Sequence, residues 1–245
     1  MPGKRRKYSL GSKAQIRKMA RAYVRKKYRT GGVPVTRGAY NMRMPSELKL
    51  SQNQTLGLTT LQNTPTIANN QLILLNSIAQ GTDYTTRIGR TCLATSLQWN
   101  LELFQAPGTT TSNNQIWVRA MVFCDRQPNG VEPSVFSDVL DSTFRTEQAF
   151  RNLSNRDRFV IVANKVWSWS DWNTLQPESL GCAKNGGPKR WAKYKKLNVE
   201  KTVYSGTSGG ITNVQSCALF FAIWLVNTSG AVQANFAYRL RFVDF

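Results

Sequence analysis

The sequence contains no histidine and few acidic residues. Among its 245 residues, 13 Asp and Glu stand against 33 Lys and Arg. Without histidine, the chain has no imidazole general base, no Ser–His or Cys–His nucleophile pair and no His-containing zinc site. Asp138 and Asp141 lie three residues apart, but nothing in the sequence places any carboxylate pair across a cleft, as glycoside hydrolysis requires. We therefore predict that the protein is not an enzyme.

The four cysteines are too widely spaced for the common zinc and redox motifs. Cys92, Cys124, Cys182 and Cys217 form no Cys-x-x-Cys pair. The simplest interpretation is that they are free, mostly buried thiols. We predict no cofactor; Ca²⁺ held by carboxylates between subunits is possible, but the sequence indicates no ligands.

Long hydrophobic runs are also missing. The longest, 217–226, is too short to span a bilayer and is typical of a strand that is buried on both faces. The basic N-terminus has no apolar segment after it, so it does not resemble a secretory signal. We predict no insertion into membranes.

Positive charge is present in excess and is concentrated at the N-terminus. The net charge is +20, and residues 1–44 contain 14 Lys and Arg and no acid. The remaining 19 basic and 13 acidic residues leave only +6 for residues 45–245. We therefore divide the chain into a nucleic-acid-binding arm with its linker, 1–44, and a folded domain, 45–245. A solubilising or membrane-surface tail is the alternative for the arm.

The predicted phosphate-binding residues of the arm are all of its Lys and Arg side chains. They are Lys4, Arg5, Arg6, Lys7, Lys13, Arg17, Lys18, Arg21, Arg25, Lys26, Lys27, Arg29, Arg37 and Arg43. Residues 13–29 are good helix formers, and we expect them to become helical when phosphates neutralise them. Residues 4–7 also resemble a short nuclear import signal.

Beyond the arm, short runs of β-branched and aromatic residues alternate with turn-forming clusters. The predicted strands are 48–60, 70–79, 91–105, 115–125, 158–170, 197–205, 217–227 and 233–245. Residues 135–153 are predicted to hold one or two short helices. The pattern favours an all-β fold, an eight-stranded two-sheet sandwich of jelly-roll type.

Two further basic features lie within this domain. Alternation in the last strand places Tyr238, Leu240 and Phe242 on the core face and Arg239 and Arg241 on the other. The two arginines are predicted either to bind nucleic acid or to be merely solvated or paired with acids. Segment 182–196 is predicted to be a basic loop, which contacts nucleic acid through Trp191 or Tyr194, contacts anionic glycans, or only provides solubility.

Several segments, taken in order, resemble a known group of proteins. These are the Gln-Gly-x-Asp…Arg-x-Gly turn in 78–91, the strand ending in Asp-Arg-Gln in 116–130, 135–140, the strand that follows a basic pair in 156–169, and 236–245. Together they resemble the single jelly-roll viral coat proteins of small circular single-stranded DNA viruses (circovirus-like), and of satellite viruses of the tobacco necrosis type. The resemblance covers about residues 45–245 and the composition of the arm.

This resemblance implies a capsid protein that assembles into a shell of about 60 identical subunits. Strands B, I, D and G would face the lumen, and the arm would bind the packaged single-stranded genome. The protein would reside in the virion, and in the host nucleus or cytoplasm during assembly. The resemblance does not identify the host receptor or glycan that the shell would bind. The alternatives are a nucleic-acid-binding protein that forms no shell, and a jelly-roll lectin or membrane-binding protein.

Overall fold

The computed structural model describes residues 48–105, 115–141, 148–170, 188–226 and 232–245. The chain divides into two units, Met1–Pro45 and Ser46–Phe245, and every described residue belongs to the second. The predicted arm, its helix at 13–29 and its fourteen basic residues therefore lie outside the described residues, as does Cys182.

The regular secondary structure of the described residues is almost entirely β-strand. Its strands are β1 Leu48–Thr60, β2 Leu72–Leu74, β3 Thr91–Gln105, β4 Gln115–Asp125, β5 Phe159–Ser170, β6 Lys189–Lys196, β7 Thr202–Tyr204, β8 Val214–Ser216, β9 Ala218–Leu225 and β10 Val232–Asp244. The helical elements in these ranges are a π-helical turn, Val135–Val139, and a 3₁₀ turn, Ile211–Asn213. The short helices predicted within 135–153 are thus limited, where the structure describes this segment, to the π-helical turn.

Two antiparallel sheets form a sandwich. The larger has the order β1-β10-β3, with β6 and β7 both paired to β3 and β8 paired to β7. The smaller has the order β2-β9-β4-β5. With β1 to β6 as strands B to G, and β9 and β10 as H and I, these are the B-I-D-G and C-H-E-F sheets of a jelly roll. The predicted fold class is confirmed; β7 and β8 are a short additional pair.

The core lies between the sheets and is built by alternating strands. In β3, Leu97, Trp99, Leu101 and Leu103 are buried while Asn100 is exposed. All eight residues of β9 are buried, as predicted for the apolar run. Its outer face is covered too, because Phe136 of the π-helical turn packs edge-on against Trp224 at 5.6 Å.

Three predicted elements need correction. The strand predicted at 70–79 is reduced to β2, and the one predicted at 197–205 is reduced to β7. The basic segment predicted as a loop forms β6 over its last eight residues. Trp191 holds this strand in place, because its ring packs against Trp99 at 5.1 Å and Trp167 at 5.6 Å. The lysines around it are compatible with an edge strand, where they discourage further pairing.

Candidate nucleic-acid interface

The outer face of the larger sheet carries most of the predicted site that the structure describes. Residues paired directly across strands point to the same side, so they form rows. One row is Leu50, Arg241, Ser96 and Lys196, and the next is Gln52, Arg239, Gln98 and Tyr194. Farther along lie Ala237, Asn100 and Ala192, and then Asn235, Glu102 and Arg190. We call this surface the basic face.

Arg239 and Arg241 lie where the alternation predicted. Leu240 between them is fully buried, whereas Arg239 is exposed and Arg241 partly so. Arg239 donates a hydrogen bond from its guanidinium to Gln52 Oε1 at 3.2 Å. The guanidinium carbon of Arg241 lies 5.9 Å from the centroid of the Tyr194 ring.

No carboxylate in the described ranges forms an ion pair with either of these two arginines. Among the residues that the structure describes, the ion pairs involve other basic side chains. On the basic face, Glu102 pairs with Arg190 at 2.9 Å, and this pair is exposed enough to contribute little to stability. Arg190, Lys196, Arg239 and Arg241 against Glu102 leave a net charge of +3. The face is therefore suited to a polyanion.

A shallow depression of about 490 Å³ crosses the basic face. Gln52, Gln98, Asn100 and Arg239 line it. Ala237, on the same face of β10 as Arg239, also lines the depression, and its methyl group leaves room that a longer side chain would fill. Its walls combine amide donors and acceptors with one cation.

Only part of this face was predicted from the sequence. Alternation identified Arg239 and Arg241, but Arg190, Tyr194 and Lys196 were predicted to lie in a loop. The two aromatic residues proposed for nucleic-acid contact lie in different environments, since Trp191 is buried whereas Tyr194 is 52% exposed. They lie three positions apart, so in a strand they face opposite sides; reading 189–196 with a period of two would have found this arrangement.

The turn motif in 78–91 has a structural role that the sequence did not reveal. Arg87 is fully buried. Its Nε donates to the Ile78 carbonyl at 3.0 Å, and its terminal nitrogens donate to the carbonyls of Gly89 and Gly206. The guanidinium also lies 4.1 Å from the centroid of the Tyr204 ring. Arg87 thus fixes the loop between β2 and β3 rather than binding a ligand.

Two of the carboxylates have similar structural roles. Arg158 forms two hydrogen bonds with the fully buried Asp125, at 2.9 and 2.8 Å, and so joins the ends of β4 and β5. Asp138 accepts a hydrogen bond from the Ser134 amide at 2.8 Å. In the described ranges, no three His, Cys, Asp or Glu side chains cluster as a metal site would require. No helix in these ranges is long and apolar enough to cross a membrane.

The described cysteines are free and buried, as predicted. Burial raises the pKa of Cys92 to about 11. The Sγ atoms of Cys124 and Cys217 lie 2.9 Å apart. Hydrogen bonding to Cys217, together with burial, raises the pKa of Cys124. Cys92 and Cys124 are therefore neutral near neutral pH and poor nucleophiles, whereas the same hydrogen bond lowers the pKa of Cys217.

Comparisons with known proteins do not assign the chain to a family. No family model and no curated protein matches the sequence. Among solved structures, the chain is similar to the crystal structure of the infectious bursal disease virus VP2 subviral particle, at 12% identity and a TM-score of 0.15. The match covers 81% of this chain and 42% of that chain, so the described protein spans less than half of the chain it matches.

Proposed function

We propose that the chain is a viral capsid protein that assembles into a small icosahedral shell and packages a single-stranded genome. One observation carries the proposal: an arm with 14 basic residues and no acid precedes a jelly-roll domain. The role is structural and binding rather than enzymatic. The arm would supply most of the contact with the genome, and the basic face a smaller part.

The charge of the arm supports a genome as its partner. Lys and Arg release condensed counterions when they neutralise phosphates, and this attraction does not depend on base sequence. About 60 arms of 14 charges each would carry about 840 positive charges. Since each nucleotide carries one negative charge, this neutralises a strand on the order of one thousand nucleotides.

Exposed apolar side chains support assembly. Phe150 is 77% exposed and Leu153 is 75% exposed, in the segment between β4 and β5. Two large, strongly exposed apolar side chains three positions apart in the sequence favour contact with another protein surface. A neighbouring subunit in a shell would cover them.

Electron microscopy of the purified full-length protein tests the proposal. We expect closed particles of uniform size, whose nucleic acid resists nuclease until the particles are opened. Unassembled protein with nuclease-sensitive nucleic acid would instead indicate a nucleic-acid-binding protein without a shell. Unassembled protein that binds vesicles or glycans and carries no nucleic acid would indicate a lectin or membrane-binding protein.

A further inference from the structure

We infer that the basic face holds a subsite for an unpaired nucleobase, centred on Tyr194 and the depression beside it. This inference rests on the proposed function and deepens it, since it gives the shell domain its own preference for single-stranded nucleic acid. Phosphate alone could satisfy the cations of this face, but it offers nothing that stacks on an exposed aromatic ring.

The environment of Tyr194 is that of a stacking platform. Tyr194 is 52% exposed although it lies within a sheet face rather than at a loop tip. The Arg241 guanidinium lies 5.9 Å from its centroid, near the limit of a cation–π contact. Base stacking on aromatic rings with arginine nearby is the usual basis of single-strand binding that tolerates any sequence.

The neighbouring row supplies groups that match the edges of bases. Gln98 lies directly beside Tyr194 on β3, and Asn100 is one row farther along the same face. Both amides line the depression and, in the described part of the chain, neither makes a side-chain hydrogen bond to another residue. An amide presents both a donor and an acceptor, as base edges do.

Phosphate-binding groups flank this subsite on both sides. Lys196 and Arg241 lie in the row on one side of Tyr194, and Arg239 is in the same row beyond Gln98. Adjacent strands are about 4.8 Å apart, so Arg239 lies about 10 Å from Tyr194 across the sheet. A single strand could therefore place a base on the ring and its phosphates on the arginines. A duplex could not, because its bases are stacked inside.

The test compares base-bearing and abasic strands of equal length and charge. The full-length chain is titrated with oligothymidylate and with the matching abasic strand. We expect Tyr194→Ala to reduce the preference for the base-bearing strand by about fivefold or more, and Tyr194→Phe to retain it. The dependence of affinity on salt should not change, because no charge is removed. Tyr84→Ala is the matched control, since Tyr84 is 57% exposed and lies in the loop between β2 and β3, outside the strand rows that form the basic face.

Photocrosslinking locates the contact independently of affinity. A strand containing 5-iodouracil should crosslink to Tyr194 in the full-length protein, in addition to any crosslinks in the arm. A strand preference that Tyr194→Ala leaves intact, or crosslinks confined to residues 1–44, would overturn the inference. So would an equal loss of affinity for heparin, because the face would then bind polyanions of any kind. Failure to bind even the abasic strand would instead refute the proposed function.

Discussion

At the scale of single residues, β10 separates side chains that stabilise the fold from side chains that are free to bind. Leu240 is fully buried between the sheets, so Leu240→Ala should lower the free energy of unfolding by about 2–5 kcal/mol through the cavity it leaves. Replacing Arg239 and Arg241 with Gln should leave the free energy of unfolding nearly unchanged, since neither arginine is paired with a described carboxylate. Urea unfolding measures both. A large loss in the double Gln variant would show that the arginines are structural.

The same double variant also tests the basic face. Its particles should contain slightly less nucleic acid than wild-type particles, because the arm supplies the larger share of the charge. If packaging is unchanged, the basic face does not contribute to genome binding.

A buried thiol and a buried phenol should make the stability of the fold depend on pH at high pH. Burial raises the pKa of Cys92 from 9.0 to about 11 and that of Tyr238 from 10.0 to about 12. As pH rises, these groups ionise first in the unfolded chain, which favours unfolding. Stability should therefore be full below about pH 9 and fall between about pH 9 and 12.

Urea unfolding at about pH 8 and about pH 10.5 measures this loss, to which Cys92 alone should contribute about 2 kcal/mol. Cys92→Ala should flatten the dependence. If wild type and variant lose stability equally over this interval, the buried thiol is not the cause.

At the scale of elements, a strand was predicted correctly from the sequence where many of its side chains face the core. In β3 and β10, alternation of apolar and polar residues over most of the strand identified both the strand and its faces. In β6, only Trp191 is buried, and five of eight residues are Lys or Arg, so charge concealed the strand. The role of Arg87 was not predictable, because it depends on Gly206, 119 positions away in the sequence.

The predicted arm helix can be tested as an element by itself. A peptide of residues 1–30 carries 12 Lys and Arg and no acid, so its own charges should keep it mostly unfolded in water. Adding an oligonucleotide should increase its helical circular dichroism. A peptide that is already strongly helical at low salt, or that gains nothing on binding, would contradict this account.

At the scale of the whole molecule, assembly should depend on the exposed apolar pair between β4 and β5. Changing Phe150 and Leu153 together to Ser should leave the free energy of unfolding within about 0.5 kcal/mol, because both side chains are exposed. Particles should no longer form, as measured by sedimentation. Ser154→Ala, at an exposed neighbouring position, is the matched control. Normal particles from the double variant would place the subunit contacts elsewhere.

The division of charge between arm and domain is the central feature of the whole chain. The arm carries 14 of the net 20 positive charges, so it should bind most of the packaged nucleic acid. The jelly-roll domain has its own core and sheet pairing, all within the residues from 48 onward. Removal of the arm should therefore leave the domain folded.

The most direct test is the number of nucleotides per subunit in closed particles of the full-length chain and of a chain that lacks residues 1–30. If the arm packages the genome, the truncated particles should hold well under half of the nucleotides per subunit. The salt dependence of binding should weaken in parallel, because fewer counterions are released. Equal nucleotide content in the two kinds of particle would contradict the account.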